Sequence, residues 1–202
     1  VTKLDEVEDA DKELEGLANH IATTKQLLCS SCQVIYIDSD SATDAMNFAH
    51  KFMPFLEAAV NRNSDNDIGT RARDTLIGYT QKLKGFLGEN ETHKDVCTGR
   101  GCSLILSSDP TLELSPMMCN VLIKNLPEDE IIRTLIKSKN YLQTAGLICP
   151  DDSRARLTDK LISAGLTRVT TSGNLSSYFP GEAHDGDYAL RRYVRVVNVE
   201  NT

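Results

Sequence analysis

The sequence predicts an α/β fold with a central, mostly parallel sheet. Short apolar, β-branched runs have the character of buried strands, among them Val34-Ile35-Tyr36-Ile37, Leu104-Ile105-Leu106 and Val121-Leu122-Ile123. Longer segments with apolar residues at helical spacing lie between them. The two kinds alternate along the chain, which is the pattern of a sheet flanked by helices. The 202 residues suit one domain, or one domain with an appendage, and are enough to bury a core.

The elements follow in order. Asp5 to Leu28 opens acidic and becomes helical, with Leu14, Leu17, Ala18, Ile21 and Leu28 at helical spacing. Its acidic residues lie near the start, where the helix dipole favours negative charge. Val34 to Ile37 is a strand, and Asp38 to Ser41 a loop. Thr43 to Val60 is an amphipathic helix that Pro54 should bend or split. Asn61 to Asp67 is a polar loop, Ile68 to Leu87 a helix and Gly88 to Thr98 another polar loop. Leu104 to Leu106 and Val121 to Ile123 are strands. Pro127 and the acidic residues after it open a helix over Ile131 to Lys137. A strand ends at Ile148. Asp151 or Asp152 caps a helix that Gly165 stops after Ala164. Thr167 to Thr170 is a strand, and so are the alternating residues Val194 to Val199.

The stretch Thr24 to Asp38 holds the chemistry. Leu28 ends a helix, Cys29-Ser30-Ser31-Cys32 is a polar turn, and Val34 begins a strand. Cys29 therefore stands at a helix–strand junction, with fixed backbone on both sides. A nucleophile needs such a setting, with N–H groups near enough to receive an oxyanion. The alternative is a buried cysteine in a corner. His20 lies nine residues before Cys29, roughly 13 Å of helical rise, which makes it a poor partner for that thiol. Cys29, Cys32, Cys97 and Cys102 have spacings that a zinc site also uses, although the helix-then-strand setting of the first pair is not that of a zinc ribbon.

Composition narrows the function classes. The net charge is −7, and lysine and arginine are scattered, which argues against nucleic-acid binding. No apolar run approaches the roughly 20 residues of a membrane span. Six cysteines without a secretory signal read as reduced thiols in a cytoplasmic protein. No glycine-rich phosphate loop opens a helix.

The Cys29 segment resembles the nucleophile region of the aldehyde dehydrogenase superfamily, where a Gln precedes the reactive Cys and a strand begins about five residues after it. The match is closest to long-chain fatty-acyl-CoA reductases of the LuxC type. They carry Cys-Ser-Ser-Pro-Gln where this chain has Cys29-Ser30-Ser31-Cys32-Gln33, so Cys29 takes the nucleophile position and Cys32 replaces a proline. Leu112-Glu113-Leu114-Ser115-Pro116 resembles the segment whose Glu meets the cofactor ribose, with Glu113 three residues before the Pro rather than four. His184-Asp185-Gly186 and the valine-rich end resemble the family's terminus, whose strand often pairs across a subunit interface. His184 reads as a turn residue or as lining the site.

The resemblance covers Asp9 to Glu200. It implies a three-layer aldehyde-dehydrogenase-like catalytic domain over residues 1–202, lacking the N-terminal dinucleotide-binding domain. It further implies reduction of long-chain acyl-CoA to fatty aldehyde with NADPH, through an acyl group on Cys29. Glu113 is the implied cofactor contact. A homo-oligomer and an acyl-transferring protein partner are also implied. The family's general-base Glu and oxyanion Asn are expected upstream of Val1. The competing expectations are a non-enzymatic interaction module on the same fold and a Cys-ligated zinc protein.

Overall fold

The computed structural model describes residues 1–63, 68–88 and 95–200. Helix α1 (Ala10–Thr24) leads through a turn to strand β1 (Val34–Ile37). Helices α2 (Ala42–Asn63) and α3 (Ile68–Leu87) follow. Strands β2 (Asp95–Gly99) and β3 (Cys102–Ser107) form a hairpin, and β4 (Asn120–Asn125) comes next. Then come α4 (Ile131–Leu135), β5 (Thr144–Leu147), α5 (Asp151–Ala164) and β6 (Arg168–Thr171).

The first four strands form a sheet in the order β1-β4-β3-β2. β1, β4 and β3 run parallel, and β2 joins the edge antiparallel to β3. β5 and β6 form a separate parallel pair. Side chains alternate across the sheet. Cys102, Leu104, Val121 and Ile123 pack with Phe48, Phe52 and Leu56 of α2 on one face. On the other face Gly78 of α3 lies against Ser103 and Asn120. Helices therefore cover both faces, as a largely parallel sheet requires. A second core gathers Leu135, Leu157, Leu161 and Leu166 beneath Ala145 and Leu147 of β5.

Several elements differ from the sequence expectation. α1 ends at Thr24, not Leu28, because Lys25 and Gln26 both turn left-handed, at φ 49° and 63°. α2 runs unbroken through Pro54. The ring removes one backbone hydrogen bond, but Phe52, Leu56 and Ala59 bury completely on either side of it and hold the helix together. Asp95 to Thr98, expected as loop, belongs to β2, a polar edge strand. Asp151 is the first residue of α5, and Pro150 is its N-cap. The helix after Pro127 is shorter than expected and passes into a 3₁₀ segment over Ile136–Tyr141. Residues 194 to 200 form no strand: Val194, Val196, Val197 and Val199 are exposed and no strand of this chain pairs with them among the described residues. Residues 64–67 and 89–94 of the two expected polar loops lie outside the described residues.

Candidate active site

Cys29 sits at the tip of a four-residue turn. The Ser31 N–H donates to the Leu28 carbonyl at 2.9 Å, and the Leu28 N–H donates to Ser31 Oγ at 3.0 Å. The turn closes on Leu28 and Ser31, and its own hydrogen bonds leave the Cys29 N–H out. The thiol is exposed. Cys32, three residues on, points inward, its Sγ 3.7 Å from the Val34 carbonyl.

Buried polar groups tie this turn down. Gln26, 1% exposed, donates through Nε2 to the Cys32 carbonyl at 3.0 Å and to Ser115 Oγ at 2.9 Å. Gln33 Nε2 donates to the Gln26 carbonyl at 2.9 Å, and Gln33 Oε1 accepts from Ser115 Oγ at 2.8 Å. The left-handed Lys25–Gln26 pair makes this possible by turning the Gln26 side chain inward. On the other side, His20 Nε2 accepts from the Cys32 N–H at 3.3 Å. His20 Nδ1 lies 3.4 Å from Ser176 Oγ, which is 3.2 Å from Ser30 Oγ. An accepting Nε2 places the proton on Nδ1 of a neutral ring. Burial agrees, since it holds the His20 imidazole below its ordinary range.

The six thiols are sharply distinguished. Burial pushes Cys32, Cys102 and Cys119 up to about 12 and also raises Cys97 and Cys149. Cys29 is the exposed one. Cys97 and Cys102 pack their sulfurs 3.9 Å from those of Met46 and Met53, against α2. Among the described residues no three His, Cys, Asp or Glu side chains converge as metal ligands, so the four-cysteine zinc arrangement does not form.

Glu113 accepts from Lys124 Nζ at 2.6 Å, and that ammonium also donates to the Thr111 carbonyl at 2.7 Å. Lys124 is fully buried and Glu113 partly exposed. Ser115, two residues on, is hydrogen-bonded to Gln26 and Gln33, so the Glu113 segment and the Cys29 turn are stitched together. A partly exposed carboxylate, oriented by a buried lysine, suits the hydroxyls of a ribose. The residues present thus fit ribose hydroxyls at Glu113.

His184 stands apart. It closes an exposed turn with Asp187, with Asp185 and Gly186 left-handed between them, and it pairs with Asp185 at 3.0 Å. It is a turn residue. An apolar cavity of about 250 Å³ does open beside Cys29, between β1 and β5.

The family model described as acyl-CoA reductase (LuxC) matches residues 1–196. The chain belongs to the LuxC acyl-CoA reductase family. No curated protein matches its sequence. Its fold is similar to that of Δ-pyrroline-5-carboxylate dehydrogenase from Mycobacterium tuberculosis, with a TM-score of 0.52 at 9% identity over 89% of this chain. The structure of that dehydrogenase bound with NAD gives the same TM-score over 91% of this chain, again at 9% identity. The LuxC-family chain spans 35% and 36% of those two structures. Its fold is therefore that of an aldehyde dehydrogenase.

His20, Gln26, Ser115 and Ser176 are the residues that sequence reasoning missed as parts of this site. Gln26 carried a signal, as the Gln shortly before the reactive position. The serines carried none.

Proposed function

We propose that this chain carries the acyl-accepting cysteine of an enzyme that reduces long-chain acyl-CoA to fatty aldehyde with NADPH. The observation that carries the proposal is the placement of Cys29: an exposed thiol on a turn held from both sides, while burial disfavours the other five thiolates.

The Cys29 thiolate attacks the thioester carbonyl. Its sulfur bonds to the acyl carbon, the bond from that carbon to the CoA sulfur breaks, and CoA leaves as a thiolate. The Cys29 N–H, which the turn's own hydrogen bonds do not use, is the proposed donor to the oxyanion while the carbon is tetrahedral. The His20–Ser176–Ser30 and Gln26–Ser115–Gln33 contacts keep the turn from yielding as the acyl group arrives. NADPH, when bound, would supply the hydride to the acyl carbon; the bond from that carbon to the Cys29 sulfur then breaks, aldehyde leaves and the Cys29 thiolate is restored, with Glu113 the residue here that would hold the ribose. Cysteine suits the cycle because it both attacks readily and leaves readily.

Six free cysteines are in keeping with a cytoplasmic setting. The exposed valines from Val194 to Val199 support self-association and are the surface for it. An acyl-transferring protein partner fits a thiol presented at the surface.

The test is acylation. Incubation with palmitoyl-CoA is expected to add one palmitoyl mass to the chain, lost in Cys29→Ala and retained in Cys32→Ser. An unmodified wild-type chain would favour a non-enzymatic module that kept the fold. Loss in Cys32→Ser with retention in Cys29→Ala would move the nucleophile by three residues.

A further inference from the structure

Helix α1 carries Glu13, Gly16 and His20 along one stripe, since residues three and four apart are neighbours on a helix surface. The segment after β6 lies on that stripe. Ser172 Oγ donates to the Glu13 carboxylate at 2.6 Å. A Cβ on Gly16 would stand 3.2 Å from the Gly173 Cα, so the two glycines let the backbones meet. Leu175 is buried in the same core as Leu17. Ser176 Oγ then lies 3.4 Å from His20 Nδ1 and 3.2 Å from Ser30 Oγ. The segment thus advances along α1 in the direction of the helix and arrives at the turn that presents Cys29.

Ser176 belongs to no helix or strand, so no ladder fixes its main chain. Arg168, the first residue of β6, does so instead, with a side chain only 14% exposed. Its Nη2 donates to the Ser177 carbonyl at 2.6 Å and its Nη1 to the Leu175 carbonyl at 3.0 Å. Both also reach the Asn174 carbonyl at 3.3 Å. The clasped carbonyls therefore stand on either side of Ser176. Nε donates to Glu182 Oε1 at 2.7 Å, and the guanidinium lies 4.5 Å from the centre of the Tyr178 ring. Glu182 closes the far end, accepting from the Phe179 N–H at 3.3 Å. A planar fork of charged donors can hold several carbonyls in one geometry, which the point charge of an ammonium cannot. The two contacts of the Ser176 hydroxyl are long for hydrogen bonds, so a small drift of its main chain breaks them.

We propose that Arg168 is a positioning residue for Cys29: by clasping the carbonyls of Asn174, Leu175 and Ser177 it holds the Ser176 hydroxyl against His20 and Ser30, and so fixes the turn that presents the thiol. This rests on the reading of Cys29 as the acyl acceptor. Arg168 touches neither thiol nor substrate and acts through Ser176. The turn keeps its own bonds between Leu28 and Ser31, and its Gln26 side, when Arg168 is changed. What it loses is the support on the His20 side. Attack on a thioester depends on that support, because the thiol and the N–H that meets the oxyanion must keep one geometry as the carbon becomes tetrahedral. Alkylation by a small halide passes through no oxyanion and needs only the thiolate.

The test follows two reactions of Cys29 by mass: acylation by palmitoyl-CoA and alkylation by limiting iodoacetamide. In Arg168→Lys, Arg168→Gln and Ser176→Ala the limiting acylation rate is expected to fall about tenfold, with half-saturation unchanged and alkylation within about twofold of the wild type. Two variants at residue 168 guard against one that fails to fold, which a urea midpoint reveals. Ser176→Thr keeps a hydroxyl and should keep most of the acylation rate. Arg168→Lys combined with Ser176→Ala should be no slower than Ser176→Ala alone, because both changes act on one contact. Wild-type acylation rates in the folded variants would overturn the role of Arg168 and leave the acyl-transfer reading standing. Equal losses in acylation and alkylation, or losses that multiply in the double variant, would also overturn it, since Arg168 would then act on the thiol itself or by another route. A wild-type chain that takes up no palmitoyl group would overturn the acyl-transfer reading, and the role of Arg168 with it.

Discussion

The main-chain N–H of Cys32 donates to Nε2 of His20 at 3.3 Å, so the turn that presents Cys29 hangs from a neutral imidazole. Burial keeps that imidazole below its ordinary range. As pH falls through about 6.5, the unfolded chain takes up a proton at residue 20 before the folded chain does. The unfolded state then binds more protons, and stability falls with pH from there to the lower folded value. The urea midpoint is expected to drop between pH 7 and pH 5 in the wild type and to drop less in His20→Gln. At pH 7, His20→Phe leaves the Cys32 N–H unpaired and should cost about 1–2 kcal/mol. An equal acid slope in His20→Gln would remove His20 from this role.

Limiting iodoacetamide at pH 7.5 is expected to modify Cys29 before any other cysteine. The thiolate reacts, and burial disfavours it at the other five positions. Peptide mapping over a time course reads the order. Early labelling of Cys97 or Cys149 would show that exposure of Cys29 does not translate into reactivity.

Glu113→Gln leaves the buried Lys124 ammonium without its carboxylate. Breaking a fully buried pair costs about 3–5 kcal/mol, and the partial exposure of Glu113 brings the expected loss to roughly 2 kcal/mol. Lys124→Met added to Glu113→Gln should recover most of it, because the buried charge is then gone. Chemical denaturation of the two variants checks this. No loss in the single variant would mean that the pair contributes nothing net.

Gly78 sits inside α3, where alanine ordinarily gains about 1 kcal/mol. Here an added Cβ would lie 2.9 Å from the Cβ of Ser103 and 3.3 Å from Asn120 Oδ1. Ser103 and Asn120 are fully buried and bonded to each other at 2.6 Å, so neither gives way easily. Overpacking costs about 1–3 kcal/mol and should win. Gly78→Ala is expected to lower the thermal midpoint, and a rise would show that α3 shifts outward at little cost.

The 202-residue chain has no glycine-rich phosphate loop that opens a helix. The two half-reactions should therefore separate. Acylation of Cys29 is expected without aldehyde formation on adding NADPH, and calorimetry should show no NADPH binding. Tight binding would place the phosphate site within these residues.

Much of the fold was legible because its strands are short β-branched runs. Val34–Ile37 stands where the sequence put it. β2 was not legible, because a polar edge strand such as Asp95-Val96-Cys97-Thr98-Gly99 owes its existence to pairing with β3 rather than to its own residues. The end of α1 was missed because Lys25 and Gln26 are not residues that signal a left-handed turn. The Val194–Val199 alternation is a strand pattern that no strand among the described residues pairs with. Cys29 was found from its junction and from the resemblance. Its supports were not, because Gln26–Ser115 and Ser30–Ser176 join positions 89 and 146 residues apart. Such pairs exist only after the sheet has brought α1, the Ser115 loop and the residues after β6 together.

The opposed directions of Cys29 and Cys32 also govern how the molecule ages in an oxidising cell. A peroxide that reaches Cys29 would make a sulfenic acid, which is rescued when a neighbouring thiolate condenses with it. Cys32 is the nearest in sequence, but its sulfur is turned inward and burial holds it as the thiol. The turn therefore contains no resolving cysteine. Damage at Cys29 is left to small-molecule thiols, and where they are scarce it advances to the irreversible sulfinic acid.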